Sequence, residues 1–150
     1  MSDIALILEN NCFDIKVENG DLVADKGLET AVAISLFSER RVSDEDLPDL
    51  ESNKRGWWGD IFPEQDQDQI GSRLWTIDRS KVLTETLRRS EELCKESLTW
   101  MQEDGIADEI KIESIYNDDK NMITTIEITR PDEQTERFSV LWDEQELRRL

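Results

Sequence analysis

The chain is organised around the segment Lys54–Asp60, with the sequence KRGWWGD, and a second segment ten residues later, Ile70–Trp75, with the sequence IGSRLW. Together they hold three of the five tryptophans, and neither shows the period of a helix or a strand. Glycines on both sides of the Trp57–Trp58 pair permit left-handed or tightly turned backbone. Two adjacent indoles do not easily share one face of a regular element. We therefore expect one of the two tryptophan side chains to anchor the segment in the core. The other would then cover a second surface, of this chain or of a partner.

Length and charge limit the classes of function. A chain of 150 residues has the size of one domain, and we predict a single domain over 1–150. The net charge of −18 repels nucleic acid and anionic membranes and favours basic partners or basic patches on partners. The start, Met1–Leu8, has no basic lead and is not a signal peptide, and no run approaches the ~20 apolar residues of a membrane-spanning helix.

The first half of the chain reads as a hairpin, a helix and a long loop. Alternation in Phe13–Val17, followed by Asn19-Gly20-Asp21 and the short run Leu22–Ala24, predicts an N-terminal β-hairpin. Apolar spacings of three and four predict a helix over Leu28–Ser38. The acidic connection at about 43–79 contains the tryptophan segments, and a loop of that length in a compact domain is usually functional.

The second half predicts one long helix and a sheet. A helical apolar period covers Ser80–Asp104. Period-2 runs over Ile110–Ile115, Ile123–Ile128 and Phe138–Trp142, joined by short turns, predict a three-stranded antiparallel meander. Asp143, with Glu146 three residues later, has the spacing of a capping box and predicts a short final helix. The predicted fold class is therefore α+β.

The residue types present exclude most familiar active sites. There is no histidine, which removes the usual general base, Ser-His and Cys-His nucleophile pairs and most zinc sites. There is no glycine-rich phosphate loop, and Asp66, Asp68 and Gln69 resemble a calcium loop only faintly, without its central Gly and terminal Glu. We therefore predict no cofactor and no metal.

The two cysteines, Cys12 and Cys94, have no CxxC spacing. We interpret both as reduced, buried thiols rather than as a disulfide.

The basic residues are few, so their clustering is informative. They occur at the end of the first predicted helix, before the tryptophan pair, in the GSRLW run and within the long predicted helix, at Arg40–Arg41, Lys54–Arg55, Arg73 and Arg88–Arg89. One interpretation pairs them with neighbouring acids or with a helix dipole. The other makes them part of a docking surface, because Trp and Arg dominate interface energetics. The partner-binding candidates are Glu39, Arg40, Arg41, Arg55, Trp57, Trp58, Asp60, Arg73 and Trp75.

Three motifs carry a resemblance to a known family. They are AVAISLF leading into ERR at 31–41, RGWWGD at 55–60 and GSRLW at 71–75, and the run LTWM at 98–101 and the closing strands also fit. On these residues the chain resembles the Mu-type phage baseplate protein family, tail proteins of contractile phages and prophages. That family is related to the baseplate-wedge family once labelled lysozyme-like.

The resemblance implies a small α+β wedge subunit, made in the host bacterial cytoplasm and present in several copies in a ring around the virion tail baseplate. It implies that Glu39 and Arg40 match a Glu/Arg motif that contacts the helical core bundle of the wedge. It also implies that the sheet docks neighbouring wedge, sheath or tube chains, as strand addition would allow. Ser38 stands where the wider family often has Gly, and the loop at 43–69 is longer.

Two other functions stay open on the residues alone. A pair of carboxylates suffices for glycoside hydrolysis, so Glu39 with Asp60 would serve a lysozyme-like cell-wall hydrolase. An acidic chain would also suit an inhibitor that mimics nucleic acid, although the tryptophan pair has no part in that role. We favour the structural, non-enzymatic role.

Overall fold

A computed structural model describes residues 3–9, 12–25, 27–49, 51–62, 69–77, 83–142 and 146–150. The fold is α+β, with two helices and a four-stranded antiparallel C-terminal sheet. Its helices and strands are β1 Asp3–Ile4, β2 Leu6–Glu9, β3 Cys12–Ile15, β4 Val17–Glu18, β5 Asp21–Leu22, β6 Ala24–Asp25, α1 Glu29–Phe37, α2 Thr84–Glu103, β7 Glu109–Tyr116, β8 Met122–Thr129, β9 Thr135–Leu141 and β10 Glu146–Arg149. Short 3₁₀ turns lie at Trp58–Ile61 and Leu74–Thr76.

The C-terminal sheet confirms the predicted meander and adds a strand. Its order is β10-β9-β8-β7, with every neighbouring pair antiparallel. Along β8 the burial alternates strictly, as expected for a sheet with one face in the core. The helix α2 covers that face with its apolar stripe. The largest fully buried side chains on these elements are Phe138, Val140, Ile126, Ile128, Leu93, Leu98 and Met101.

The predicted final helix is wrong. Glu146–Arg149 is the strand β10, and Leu147 is the register partner of Val140 in β9. The segment is only four residues long, and a helix that short has little stability of its own, whereas the open edge of β9 offers a ladder of hydrogen bonds. Asp143, which suggested the capping box, lies outside the described residues.

Both predicted helices are confirmed, with α1 fixed from two sides. Its start is capped by the buried Asp25, whose Oδ2 accepts a hydrogen bond from the Thr30 backbone N–H at 2.8 Å. Trp100 of α2 donates its Nε1–H to Ser35 Oγ of α1 at 3.0 Å. The position of α1 matters because the candidate docking residues begin two residues after its end.

The N-terminal residues confirm the predicted turn but form more than a hairpin. Asn19 and Gly20 both have positive φ, 52° and 84°, as a tight hairpin turn requires. Residues 3–9, 12–18 and 21–25 are three strand segments, and each changes partner in its middle. At the change, the Lys16 N–H donates to Ala5 O, the Ala5 N–H to Val23 O and the Val23 N–H to Lys16 O, at 2.8 to 2.9 Å. This closed ring of three hydrogen bonds is hereafter the three-strand junction.

A chain of aromatic contacts joins the N-terminal strands to the sheet. Phe13 of β3 lies 5.3 Å from Phe37 of α1, and Phe37 lies 5.8 Å from Trp142, both measured between ring centroids. Such tilted pairs add about 0.5–1.5 kcal/mol each beyond their buried area. Among the described helices, none is long and apolar enough to cross a membrane.

The cysteine prediction is half right. Cys94 is fully buried on α2, whereas Cys12 on β3 is exposed. Both are free thiols, and burial raises the pKa of Cys94 to about 12. A thiol with that pKa carries almost no thiolate at neutral pH and is therefore inert.

We predict that the native chain presents a single reactive thiol. At pH 8 a disulfide reagent such as Ellman's reagent should modify Cys12 rapidly and Cys94 only after unfolding in guanidinium chloride. The variant Cys12→Ser serves as the control and should show no fast reaction. Two fast thiols in the native wild-type chain would contradict the packing of α2 described above.

Candidate functional site

The two motif segments meet directly after α1. Ser38 O accepts the Ser72 N–H, and Ser72 O accepts the Arg40 N–H, each at 2.9 Å, so that Glu39 and Ser72 form a parallel β-bridge. Ser72 is buried, and its hydroxyl donates to Leu36 O at 2.7 Å. A buried serine with these bonds fastens the second segment to the end of the helix.

Gly71 makes this close approach possible. Its φ is +88°, in the left-handed region, and a Cβ atom at this position would collide with the Ser38 carbonyl oxygen. Only glycine meets both requirements without strain. The glycine in the GSRLW motif is thus explained by the bridge.

Glu96 of α2 holds both segments through two arginines. Arg73 forms a bidentate pair with it, from Nε to Oε1 at 3.0 Å and from Nη2 to Oε2 at 2.6 Å. Arg40 Nη1 reaches Glu96 Oε1 at 3.4 Å, and Arg73 Nη1 also binds Asp46 Oδ2 at 2.9 Å. The hydrogen bond to Glu96 raises the pKa of Arg73. Bidentate arginine–carboxylate geometry makes this the best-defined ionic contact of the loop.

Arg55 forms the second anchor, beside the tryptophan pair. Its guanidinium binds the carboxylates of Glu39 and Glu51 and lies over the Trp75 ring, 4.3 Å from the centroid. Trp75 in turn donates its Nε1–H to Arg40 O at 2.9 Å. The pKa of Glu51 is lowered, chiefly by the backbone N–H groups of Asn53 and Ser52 and less by Arg55. Glu51 is thus held as a carboxylate at neutral pH.

The tryptophan pair does not behave as predicted, because neither ring is in the core. Trp57 is 50% exposed and Trp58 is 74% exposed, and the rings contact each other at a centroid distance of 5.4 Å. Gly59 lies so close under the Trp57 ring that a Cβ atom would overlap it. The pair shares one surface because the 3₁₀ turn at Trp58–Ile61 replaces a regular element. Trp75, half-buried, takes the anchoring role instead.

Ile61 and Phe62 extend this apolar surface, and they are 71% and 82% exposed. We call Trp57, Trp58, Ile61 and Phe62 the tryptophan turn. Four large apolar side chains this exposed within six consecutive residues mark a candidate contact surface. The sequence argument missed Ile61 and Phe62, although the apolar pair directly after the RGWWGD motif was the available signal.

An open depression of ≈ 760 Å³ lies beside the tryptophan turn. Its lining includes Glu39, Glu51, Arg55, Trp57 and Ile70. Both lining carboxylates bind the same guanidinium, so each faces a cation rather than the apolar surroundings that suit a general acid.

Asp60, the other half of the supposed catalytic pair, is not part of that lining. Its Oδ1 accepts the Ile70 N–H at 3.3 Å, and its Oδ2 is buried without a hydrogen-bond partner among the described residues. No group of carboxylates and thiols in the described part of the chain is arranged to hold a metal ion. Asp66 and Asp68 of the faint calcium motif fall outside that part.

The structure therefore brings together most of the candidate residues but gives them different positions. Arg40, Arg55 and Arg73 are paired with acids of the same chain, as one interpretation of the basic clusters predicted, and Trp75 donates a hydrogen bond to Arg40 O. Arg41 donates from Nη1 to Arg55 O at 3.3 Å. Glu96, Asp46 and Glu51 were missed, since nothing in the sequence separates them from the other acids of an acidic chain.

The site lies within a segment that matches a known family. A sequence model of the family described as phage protein GP46 matches residues 28–135, which include α1, both motif segments, α2 and the strands β7 and β8. The chain belongs to this family. The resemblance read from the motifs is thereby confirmed.

Two relatives, one from a phage and one from a prophage, are similar to this chain over most of its length. The baseplate protein gp46 of Escherichia phage Mu is 37% identical over 133 residues, which cover 88% of this chain and 90% of the relative. The Mu-like prophage FluMu protein gp46 of Haemophilus influenzae is 34% identical over 144 residues, covering 95% and 98%. The similarity to both relatives extends over most of the chain.

We predict that Gly71→Ala separates the two motif segments. The left-handed φ costs about 1–2 kcal/mol for an L-residue, and the collision with the Ser38 carbonyl adds about 1–3 kcal/mol. Gly105→Ala is the matched control, because Gly105 also has positive φ, +70°, but has nothing within 4 Å of an added Cβ. Thermal and urea unfolding measure the difference. Equal losses of stability in the two variants would contradict the described contact.

Proposed function

We propose that this chain is a structural, non-enzymatic subunit of a contractile phage or prophage tail baseplate, and that it docks onto neighbouring wedge proteins through the tryptophan turn. The observation that carries the proposal is the exposure of four large apolar side chains on a loop held by ion pairs. A relative of similar length is named a baseplate protein, which supports the assignment. In this proposal the chain is found in the tail baseplate, in several copies arranged in a ring.

The described parts of the loop are suited to docking because contacts within the chain hold them. Arg55 binds Glu51 before the tryptophan turn, and Arg73 and Trp75 bind Glu96 and Arg40 O in the second motif segment. A preformed surface loses less conformational entropy on binding than a mobile one. Trp in particular is enriched among the residues that contribute most to interfaces. The tryptophan turn thus presents exposed apolar side chains from a loop that is anchored within the chain.

The nine candidate residues take two roles in this proposal. Trp57 and Trp58 contact the partner, with Glu39, Arg41 and Asp60 at the border of the contact. Arg40, Arg55, Arg73 and Trp75 position the loop, because each makes hydrogen bonds or ion pairs within the chain. The Glu39–Arg40 pair would then act on the helical core bundle of the wedge mainly through the loop that it holds.

The sheet offers a second mode of contact within the same role. Among the described strands, β7 is at one edge of the sheet. Its Ser114 N–H donates to Glu91 Oε1 of α2 at 2.7 Å, so one position of the free edge is covered by a carboxylate. That carboxylate discourages edge-to-edge pairing of free copies. A strand from a neighbouring sheath, tube or wedge chain would displace it and extend the sheet.

We predict that the double variant Trp58→Ala, Phe62→Ala abolishes assembly without unfolding the chain. Both side chains are mostly exposed, so the free energy of unfolding should change by no more than about 0.5 kcal/mol per site. Incorporation into baseplates, measured by complementation of a phage that lacks this gene, should fall at least tenfold. Leu83→Ala, at a position 50% exposed directly before α2, is the control and should complement normally.

Normal complementation by the double variant would contradict docking through the tryptophan turn. Clearing of a cell-wall suspension by the purified wild-type chain, measured as loss of turbidity, would overturn the non-enzymatic assignment.

A further inference from the structure

The chain already holds one cation between a tryptophan ring and two carboxylates. The Arg55 guanidinium lies over the Trp75 ring, 4.3 Å from the centroid. The same guanidinium pairs with Glu39 through Nη1 and with Glu51 through Nη2. An indole face attracts a cation and carboxylates pair with it, so the three groups act together on one side chain.

The open depression beside the tryptophan turn presents the same kinds of group to solvent. Trp57 lines it and is half exposed, and Glu39 and Glu51 line it as well. The side chains of these two acids keep 49% and 33% of their surface exposed. Arg55 is the one basic side chain among the described residues of the lining, so two carboxylates and one guanidinium leave a net charge of −1.

The chain around the depression is also negative. Residues 43–62 contain six acidic and two basic side chains, which gives a net charge of −4. The two basic side chains are Lys54, which lies 2.7 Å from Asp44 Oδ2, and Arg55. Arg41, just before this segment, is exposed and donates from Nη1 to Arg55 O. With Arg41 included, the surroundings keep a net charge of −3.

These charges limit what can cover the tryptophan turn. A nucleic acid or an anionic membrane is repelled by the net charge of −18. A second copy brings the same charge, and Arg89 on its exposed α2 surface is paired with Glu92 at 3.4 Å. Complementary charge favours a polypeptide that carries apolar and basic side chains in one segment.

We propose that the neighbour which covers the tryptophan turn is a different polypeptide with a basic segment, and that one arginine or lysine of this segment enters the depression between Trp57 and the carboxylates of Glu39 and Glu51. This inference rests on the proposed docking function and names the chemistry of the partner. Apolar side chains of the same segment cover the rest of the tryptophan turn. The contact has the same composition as the one that Arg55 makes within the chain.

Photo-crosslinking in assembled particles identifies the segment that covers the depression. A benzophenone amino acid replaces Ile70, which lines the depression and is 36% exposed, and a parallel sample carries it at Leu83, directly before α2. Particles that contain the chain are irradiated, and the crosslinked peptides are sequenced by mass spectrometry. We expect position 70 to crosslink to another protein, at an apolar segment with arginine or lysine within a few residues. Position 83 should not reach that segment.

Three results at position 70 would overturn the proposal. They are a crosslink to a second copy of this chain, a crosslink to a segment without basic residues, and no crosslink in particles that contain the chain. Docking through the tryptophan turn is tested separately, because it fails only if the Trp58→Ala, Phe62→Ala variant complements normally. Failure of the partner's chemistry and failure of docking are therefore distinguishable.

A neutral double variant tests the charge of the depression. Glu39→Gln with Glu51→Gln keeps oxygen atoms that accept hydrogen bonds from Arg55, but it changes the net charge of the lining from −1 to +1. Complementation should fall at least tenfold. Asp118→Asn with Asp119→Asn, in the exposed turn between β7 and β8, removes the same charge and should complement normally.

Normal complementation by the glutamine variant would overturn the proposal. Hydrogen exchange separates a lost contact from a loosened loop, since the backbone N–H groups of Arg40 and Ser72 should stay as protected as in the wild-type chain. A fall in complementation together with lost protection would assign the two carboxylates to loop anchoring alone. That result would count against a contact with the partner's cation.

Discussion

The carboxylate of Glu96 determines where the long loop lies. It receives Arg73 through two hydrogen bonds and Arg40 through a third, and thereby joins two distant segments of the chain to the middle of α2. Isolated surface ion pairs contribute about 0–1 kcal/mol, but a bidentate pair in a network contributes more. Here the network is reinforced by the backbone bridge between Glu39 and Ser72, which removes two N–H groups from solvent. The exposed tryptophan turn depends on both.

The regular elements could be predicted from sequence because their signals are local. Period-2 runs placed β7, β8 and β9, and helical spacing placed α1 and α2. The exception is β10, whose four residues carry no decisive period. Its structure is set by pairing with β9, a tertiary contact that the capping-box spacing at Asp143 and Glu146 could not reveal. The three-strand junction was missed for a similar reason, since each segment changes partner within one strand.

The sequence identified the segments that form the candidate site, but it did not predict which of their side chains are anchored and which are exposed. Arginine and tryptophan clusters marked the right segments, yet burial reversed the expected roles: Trp75 is the anchor, and both members of the Trp57–Trp58 pair are exposed. Ion-pair partners could not be chosen from 36 acidic residues without coordinates. Glu96 pairs with Arg40 and Arg73 because α2 packs beside the end of α1, and that tertiary contact has no signal in the sequence.

In the proposed role the chain contacts its neighbours through fixed surfaces, and the central claim is that the described parts of the loop are ordered before any partner binds. Hydrogen exchange of the isolated chain tests this claim at the backbone N–H groups of Arg40 and Ser72, which form the bridge. We predict strong protection of both, well above that of the exposed Trp58. Exchange of Arg40 and Ser72 at the rate of an unstructured peptide would contradict the account, because the tryptophan turn would then have no rigid base.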